Sequence, residues 1–129
     1  MNYVAIGVGG VIGAILRYLI TDWFISFGSF FAIGILCVNA IGCFLFGYLQ
    51  GLARAYEIPN WVVMGLGTGL IGAFTTFSTF SMEVIHYIEQ GEIFRSFLYV
   101  MVSSIMGYFL VYLGFILTEP RKKGVDRHG

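Results

Sequence analysis

The chain has 129 residues, 58% hydrophobic and 11% charged, and its Lys+Arg and Asp+Glu counts balance to a formal net charge of zero. A soluble domain carries about 25% charged residues, so this composition belongs in a bilayer. The one basic cluster is the terminal RKKGVDR, and without an ordered basic stripe nucleic acid is excluded as a partner.

A bilayer core takes about 20 apolar residues per helix, so the length predicts one domain with four short-looped spans. The first span is predicted from about Tyr3 to Phe24, interrupted by Arg17 and Asp22 towards its end. It has no basic leader and no small-residue cleavage site before polar sequence, so it reads as a span and not as a signal peptide. SFGS, at 26–29, signals a turn. The second span, about Phe31 to Leu52, holds one strongly polar residue, Asn39. ARAYEIPN then brings charges and Pro59, marking an exposed connection or the start of a helix. The third span is predicted from about Trp61, an interfacial anchor, to Ile85. HYIEQGEIFR reads as a charged loop, the fourth span as about Ser96 to Leu117, and 119–129 as a polar, disordered tail after a four-helix transmembrane domain over 1–118. The apolar runs are long and unalternating, which excludes a membrane barrel.

Several of the 18 glycines lie inside the spans, as Gly9-x-x-x-Gly13, Gly47-x-x-x-Gly51 and Gly65-x-x-x-Gly69. Small residues four apart let membrane helices approach closely, so a tightly packed bundle is expected. Four helices bury too little interior for a protected pathway, which predicts a homo-oligomer. Cys37 and Cys43 have a spacing that suits neither a metal nor a disulfide, and read as packing or lipid-facing residues. Arg54, Arg121, Lys122, Lys123 and Arg127 lie on the side of the termini and Arg95 on the other. That bias favours cytoplasmic termini, but without the tail it falls to one against one.

Polar groups inside hydrocarbon are costly and are candidate sites by default. Asn39 reads as an interhelical clamp contributing about 1 kcal/mol, or as an amide donor to a permeating anion, with Gly42 one turn along leaving space beside it. Arg17 either snorkels to the interface or forms a fixed charge in a vestibule. Glu83 is a partner for such an arginine or a group at the pore mouth, and His86 an interfacial residue. No relay of carboxylates and histidines crosses the spans, which argues against a proton-coupled carrier.

GAFTTFSTFS, at 72–81, gathers Thr75, Thr76, Ser78, Thr79 and Ser81 in seven residues and sets Phe77 and Phe80 on one helical face. The threonines with Gly69 and Gly72 make a poor helix interior, by about 1 kcal/mol for each glycine relative to alanine, so a break is expected. Carbonyls freed inside a membrane become ligands for a cation such as Na⁺. Phenylalanine edges carry partial positive charge, so rings turned edge-on between hydroxyl and amide donors would solvate a small anion without trapping it.

GxxGAxxRY at Gly10–Tyr18, VNxxGxFxxG at Val38–Gly47 and GxxTTFSTF at Gly72–Phe80 resemble the three signatures of the CrcB/Fluc family of fluoride channels. The resemblance covers essentially the whole chain. It implies an all-α membrane protein with four transmembrane helices per subunit, the third broken mid-membrane, in an antiparallel, dual-topology homodimer. It also implies two fluoride pores and a central Na⁺. By motif position Phe77, Phe80 and Asn39 would line the pore, with Ser78 and Thr79 supplying hydroxyls. Backbone carbonyls of Gly72 and Thr75 would bind Na⁺, and Arg17 would stand in the vestibule. Tyr99 and Ser103 or Ser104 are expected to face the same track. The implied activity is passive export of cytoplasmic fluoride across a bacterial inner membrane, with no enzymatic step and no organic cofactor. Two other readings remain. A proton-coupled multidrug exporter needs an embedded carboxylate in its first helix, and Asp22 lies too near the end. In a non-transporting structural subunit the hydroxyls would be interhelical glue.

Overall fold

Each apolar run forms a helix because, without water, a backbone must satisfy its own N–H and C=O groups, and a helix does so locally. The computed structural model describes residues 1–28 and 31–119. The first span is α1 (Asn2–Ser26) and the second α2 (Phe31–Ala55). The third, from Asn60 to Glu89, comprises α3 (Asn60–Met64), a π-helical stretch (Gly65–Ile71), α4 (Gly72–Phe74) and α5 (Phe77–Glu89). The fourth is α6 (Ile93–Leu117), and no strand occurs among the described residues.

The expected break is present between α4 and α5, where Thr75 and Thr76 are extended. The π-helical stretch was not expected. It carries three of the glycines and lies against α1, and such wide turns often mark functional sites.

The predicted loop HYIEQGEIFR is corrected. Residues 86–89 complete α5, 93–95 begin α6, and only 90–92 connect them. Gly91, at φ 77°, closes α5: its N–H donates to Ile88 O and the Glu92 N–H donates to Tyr87 O at 2.8 Å. This pairing satisfies carbonyls that a charged sequence alone gave no reason to place in a helix. In SFGS, Ser26 ends α1 and Phe27–Gly28 form a turn, with Gly28 at φ 72°. The rest of that turn, and the tail beyond Glu119, lie outside the described residues.

Two tight helix pairs organise the chain. α1 runs along the π-helical stretch and α4, and α2 runs along α6. The glycine motifs are the contacts. A methyl at Gly9 would overlap Gly65 O, one at Gly13 Leu70 O, one at Gly47 Val111 O, and one at Gly114 Phe44 O. Backbone-to-backbone approach of this kind supplies packing that lipid cannot drive by hydrophobicity. Few large side chains are fully buried, Ile35 and Val38 foremost, whereas Val11, Leu19, Phe97 and Phe109 among many others point outward. A subunit with so little interior is suited to lipid and to further contact on its surface.

A broken span beside an open groove

Asn39 of α2 meets the break directly. Its Nδ2 donates to Thr76 O at 3.0 Å, and its Oδ1 accepts from the Thr76 N–H at 2.8 Å. The expected clamp is therefore real, and it holds extended backbone, not another side chain. Thr76 also caps α5: its Oγ1 accepts from the Thr79 N–H at 3.2 Å and donates to Thr79 Oγ1 at 3.0 Å. With that one hydrogen in use, Ser78 Oγ, 3.3 Å away, is the donor to Thr76. The hydroxyl chain ends on Thr79.

These bonds determine which carbonyls are left over. In an unbroken helix the Thr76 N–H would serve Gly72 O and the Thr79 N–H would serve Thr75 O. Asn39 takes the first donor and Thr76 Oγ1 the second, and no other backbone N–H replaces them among the described residues. Gly72 is exposed and Thr75 half-buried, so these oxygens lie near the subunit surface.

The other hydroxyls divide. Thr75 and Ser81 bond the carbonyl one turn back, Ile71 O at 3.0 Å and Phe77 O at 2.9 Å, as membrane hydroxyls commonly do. Ser104 does the same with Val100 O at 2.8 Å. Ser103 differs: its Oγ is buried and has no partner among the described residues.

Phe77 and Phe80 share a face as predicted, with centroids 6.0 Å apart. Phe77 is 81% exposed. Phe80 instead stacks on Tyr99 at 5.2 Å and 27°, so one of its faces is covered. Tyr99 is buried, and its hydroxyl donates to Ala32 O at 3.3 Å.

A groove of about 500 Å³ gathers Asn39, Gly72, Thr75, Phe77, Phe80, Ser103 and Ser104 along one side of the subunit. Thr79 lies elsewhere, in a cavity of about 270 Å³ with Arg17, Asp22 and Thr76. Glu83 lines a third, about 460 Å³, with His86, Gln90 and Arg95. Arg17 and Glu83 thus belong to different cavities, and among the described residues the one ion pair is Arg95–Glu92 at 2.7 Å. Gly42 lines the same groove as Asn39, as expected, although Thr75 Cγ2 fills the spot that an added Cβ would need. Thr76 was missed as a site residue, although a threonine opening an amphipathic run is an N-cap signal. Cys43 lines the groove, and both cysteines are free.

The family model described as CrcB-like protein, Camphor Resistance (CrcB), matches residues 4–115. The chain belongs to the CrcB family. This CrcB chain is 42% identical over 127 residues to the fluoride-specific ion channel FluC of Oceanobacillus iheyensis, covering 97% of each. It is 41% identical over 114 residues to the FluC of Shewanella loihica, covering 88% of this chain and 92% of that one. With the FluC of Shewanella amazonensis the identity is 44% over 115 residues, at the same coverage. The region matched to CrcB contains the break, the groove and the two other cavities. Four apolar spans and bacterial relatives of full length place this CrcB chain among multi-pass bacterial membrane proteins.

Proposed function

We propose that this CrcB chain is a passive, fluoride-selective channel that lets cytoplasmic fluoride leave down its electrochemical gradient. The observation that carries the reading is the N-terminus of α5 inside the membrane, beside a groove holding Asn39, Phe77, Phe80 and the unpartnered Ser103 hydroxyl. A helix N-terminus carries partial positive charge. Asn39 keeps one amide hydrogen beyond that given to Thr76, and Ser103 has a free hydroxyl hydrogen. Ring edges of Phe77 and Phe80 add weak positive potential. Together these donors replace part of a small anion's hydration without a fixed charge that would hold it, which is the balance conduction needs. Ser103 is the hydroxyl donor of the fourth span, since Ser104 has its hydrogen on Val100 O. Arg17, with the end of the Ser78–Thr76–Thr79 chain, draws anions into its cavity.

The groove is open along one side, and a second copy of the chain closes it. The homodimer is antiparallel, its two pores lying between the subunits. The Gly72 and Thr75 carbonyls of both copies, whose helical donors are diverted to Asn39 and Thr76, would hold Na⁺. A bound Na⁺ supplies positive charge that ties the paired breaks together. Reconstitution into liposomes with a fluoride electrode tests the reading: rapid fluoride efflux with chloride retained is expected, and equal permeation of the two anions rejects selectivity.

A further inference from the structure

We propose that Tyr99 is a positioning residue for the pore: its ring is a backing surface that holds Phe80 edge-on to the anion, and its hydroxyl is not an anion ligand. The inference rests on the channel reading and corrects the expectation that Tyr99 faces the track.

Tyr99 is 9% exposed, and its hydroxyl hydrogen is committed to Ala32 O in the first turn of α2, 67 residues away in sequence. A phenol has one hydrogen to give, so none remains for an anion. Its ring lies within 27° of the Phe80 plane at 5.2 Å, covering a face of Phe80. Tyr87 of α5 packs against Tyr99 edge-on, at 6.0 Å and 64°. Ser96, buried, donates to Val84 O at 3.2 Å and fixes the start of α6 on α5, the helix that carries Phe80. Tyr99, on α6, is therefore held by α2 and α5, and Phe80 stacks on Tyr99.

The electrostatic consequence depends on which part of the ring meets the anion. A ring face repels negative charge and the edge attracts it, so a Phe80 free to rotate would present both. Stacking on a fixed neighbour withdraws one face of Phe80 and hinders rotation of its ring before the ion arrives. Phe77 has no such support within the subunit beyond Phe80 itself. The subunit alone pre-organises one of the two phenylalanines.

The test compares wild type, Tyr99→Phe and Tyr99→Leu in liposomes, with meta-fluorophenylalanine at position 80 observed by fluorine NMR. Tyr99→Phe retains the stack and loses one hydrogen bond, so fluoride flux stays within about fivefold and chloride remains excluded. Tyr99→Leu forms the dimer but loses flux by about tenfold or more and loses discrimination against chloride, while the fluorine signal narrows as the ring turns freely. Tyr99→Met takes its place if that variant does not assemble. Equal damage from Tyr99→Phe and Tyr99→Leu would make the hydroxyl the active part and overturn the proposal. So would wild-type selectivity and ring mobility in Tyr99→Leu. Wild-type vesicles that pass no fluoride would sink the channel reading, and the NMR comparison would still decide whether Tyr99 holds Phe80.

Discussion

Asn39 and Thr76 exchange two hydrogen bonds across the second and third spans, at 3.0 and 2.8 Å. One side chain thus stabilises an extended backbone unit that would otherwise be unpaired in hydrocarbon, and the same pairing releases the Gly72 carbonyl. Clamp and helix break are one feature.

Replacing Asn39 separates its roles. Asn39→Leu leaves the Thr76 N–H and C=O without partners, a loss of about 1–3 kcal/mol for each buried group, and should lower the thermal midpoint in detergent. Asn39→Asp keeps an acceptor for the Thr76 N–H, so the fold should survive better while a carboxylate repels the anion and flux collapses. An Asn39→Leu protein that melts like wild type would show that the break stands without the clamp.

Phe80→Ile should leave the proposed dimer intact on size exclusion and reduce fluoride flux by about tenfold or more, because an aliphatic side chain has no positive edge. Normal flux in that variant would remove the ring-edge mechanism.

Glycine packing predicts a contrast on one helix. Gly13→Ala pushes a methyl into Leu70 O and should cost about 1–3 kcal/mol, measured by unfolding in detergent, as should Gly114→Ala against Phe44 O. Gly7 has nothing within 4 Å of an added Cβ, so Gly7→Ala should be neutral or gain up to about 1 kcal/mol from helix propensity.

Withdrawing Na⁺ in favour of a large organic cation should lower the melting midpoint of the proposed dimer. A site filled at a hundred times its Kd contributes about 2.7 kcal/mol, which sets the scale. The proposed ligands are backbone carbonyls, so the dependence should survive side-chain changes at Thr75. A midpoint indifferent to Na⁺ would remove the central ion.

Asn39 and the hydroxyl cluster stood out in the sequence because polar groups in hydrocarbon are rare, and the break was legible from threonines and glycines in one stretch. The glycine pairs were equally readable, since spacing alone puts them on one face. Other features left no mark. Ser103 and Ser104 are adjacent and chemically alike, yet only Ser103 lacks a partner, which depends on the direction each hydroxyl takes in α6. Gly42 lines the groove beside Asn39, but the packing of the Thr75 methyl against it could not be read from spacing. The charges of HYIEQGEIFR suggested a loop, but polar residues also occupy helix ends at an interface.

Hydropathy and spacing are properties of neighbours along the chain, so the sequence by itself determined the bilayer, the four spans and the place where the third gives way. The partner of Asn39, the covering of Phe80 by Tyr99 and the separation of Arg17 from Glu83 join residues from different spans. Only the tertiary structure decided those, because a hydrogen bond or a stacked ring is satisfied by whatever packing brings within reach.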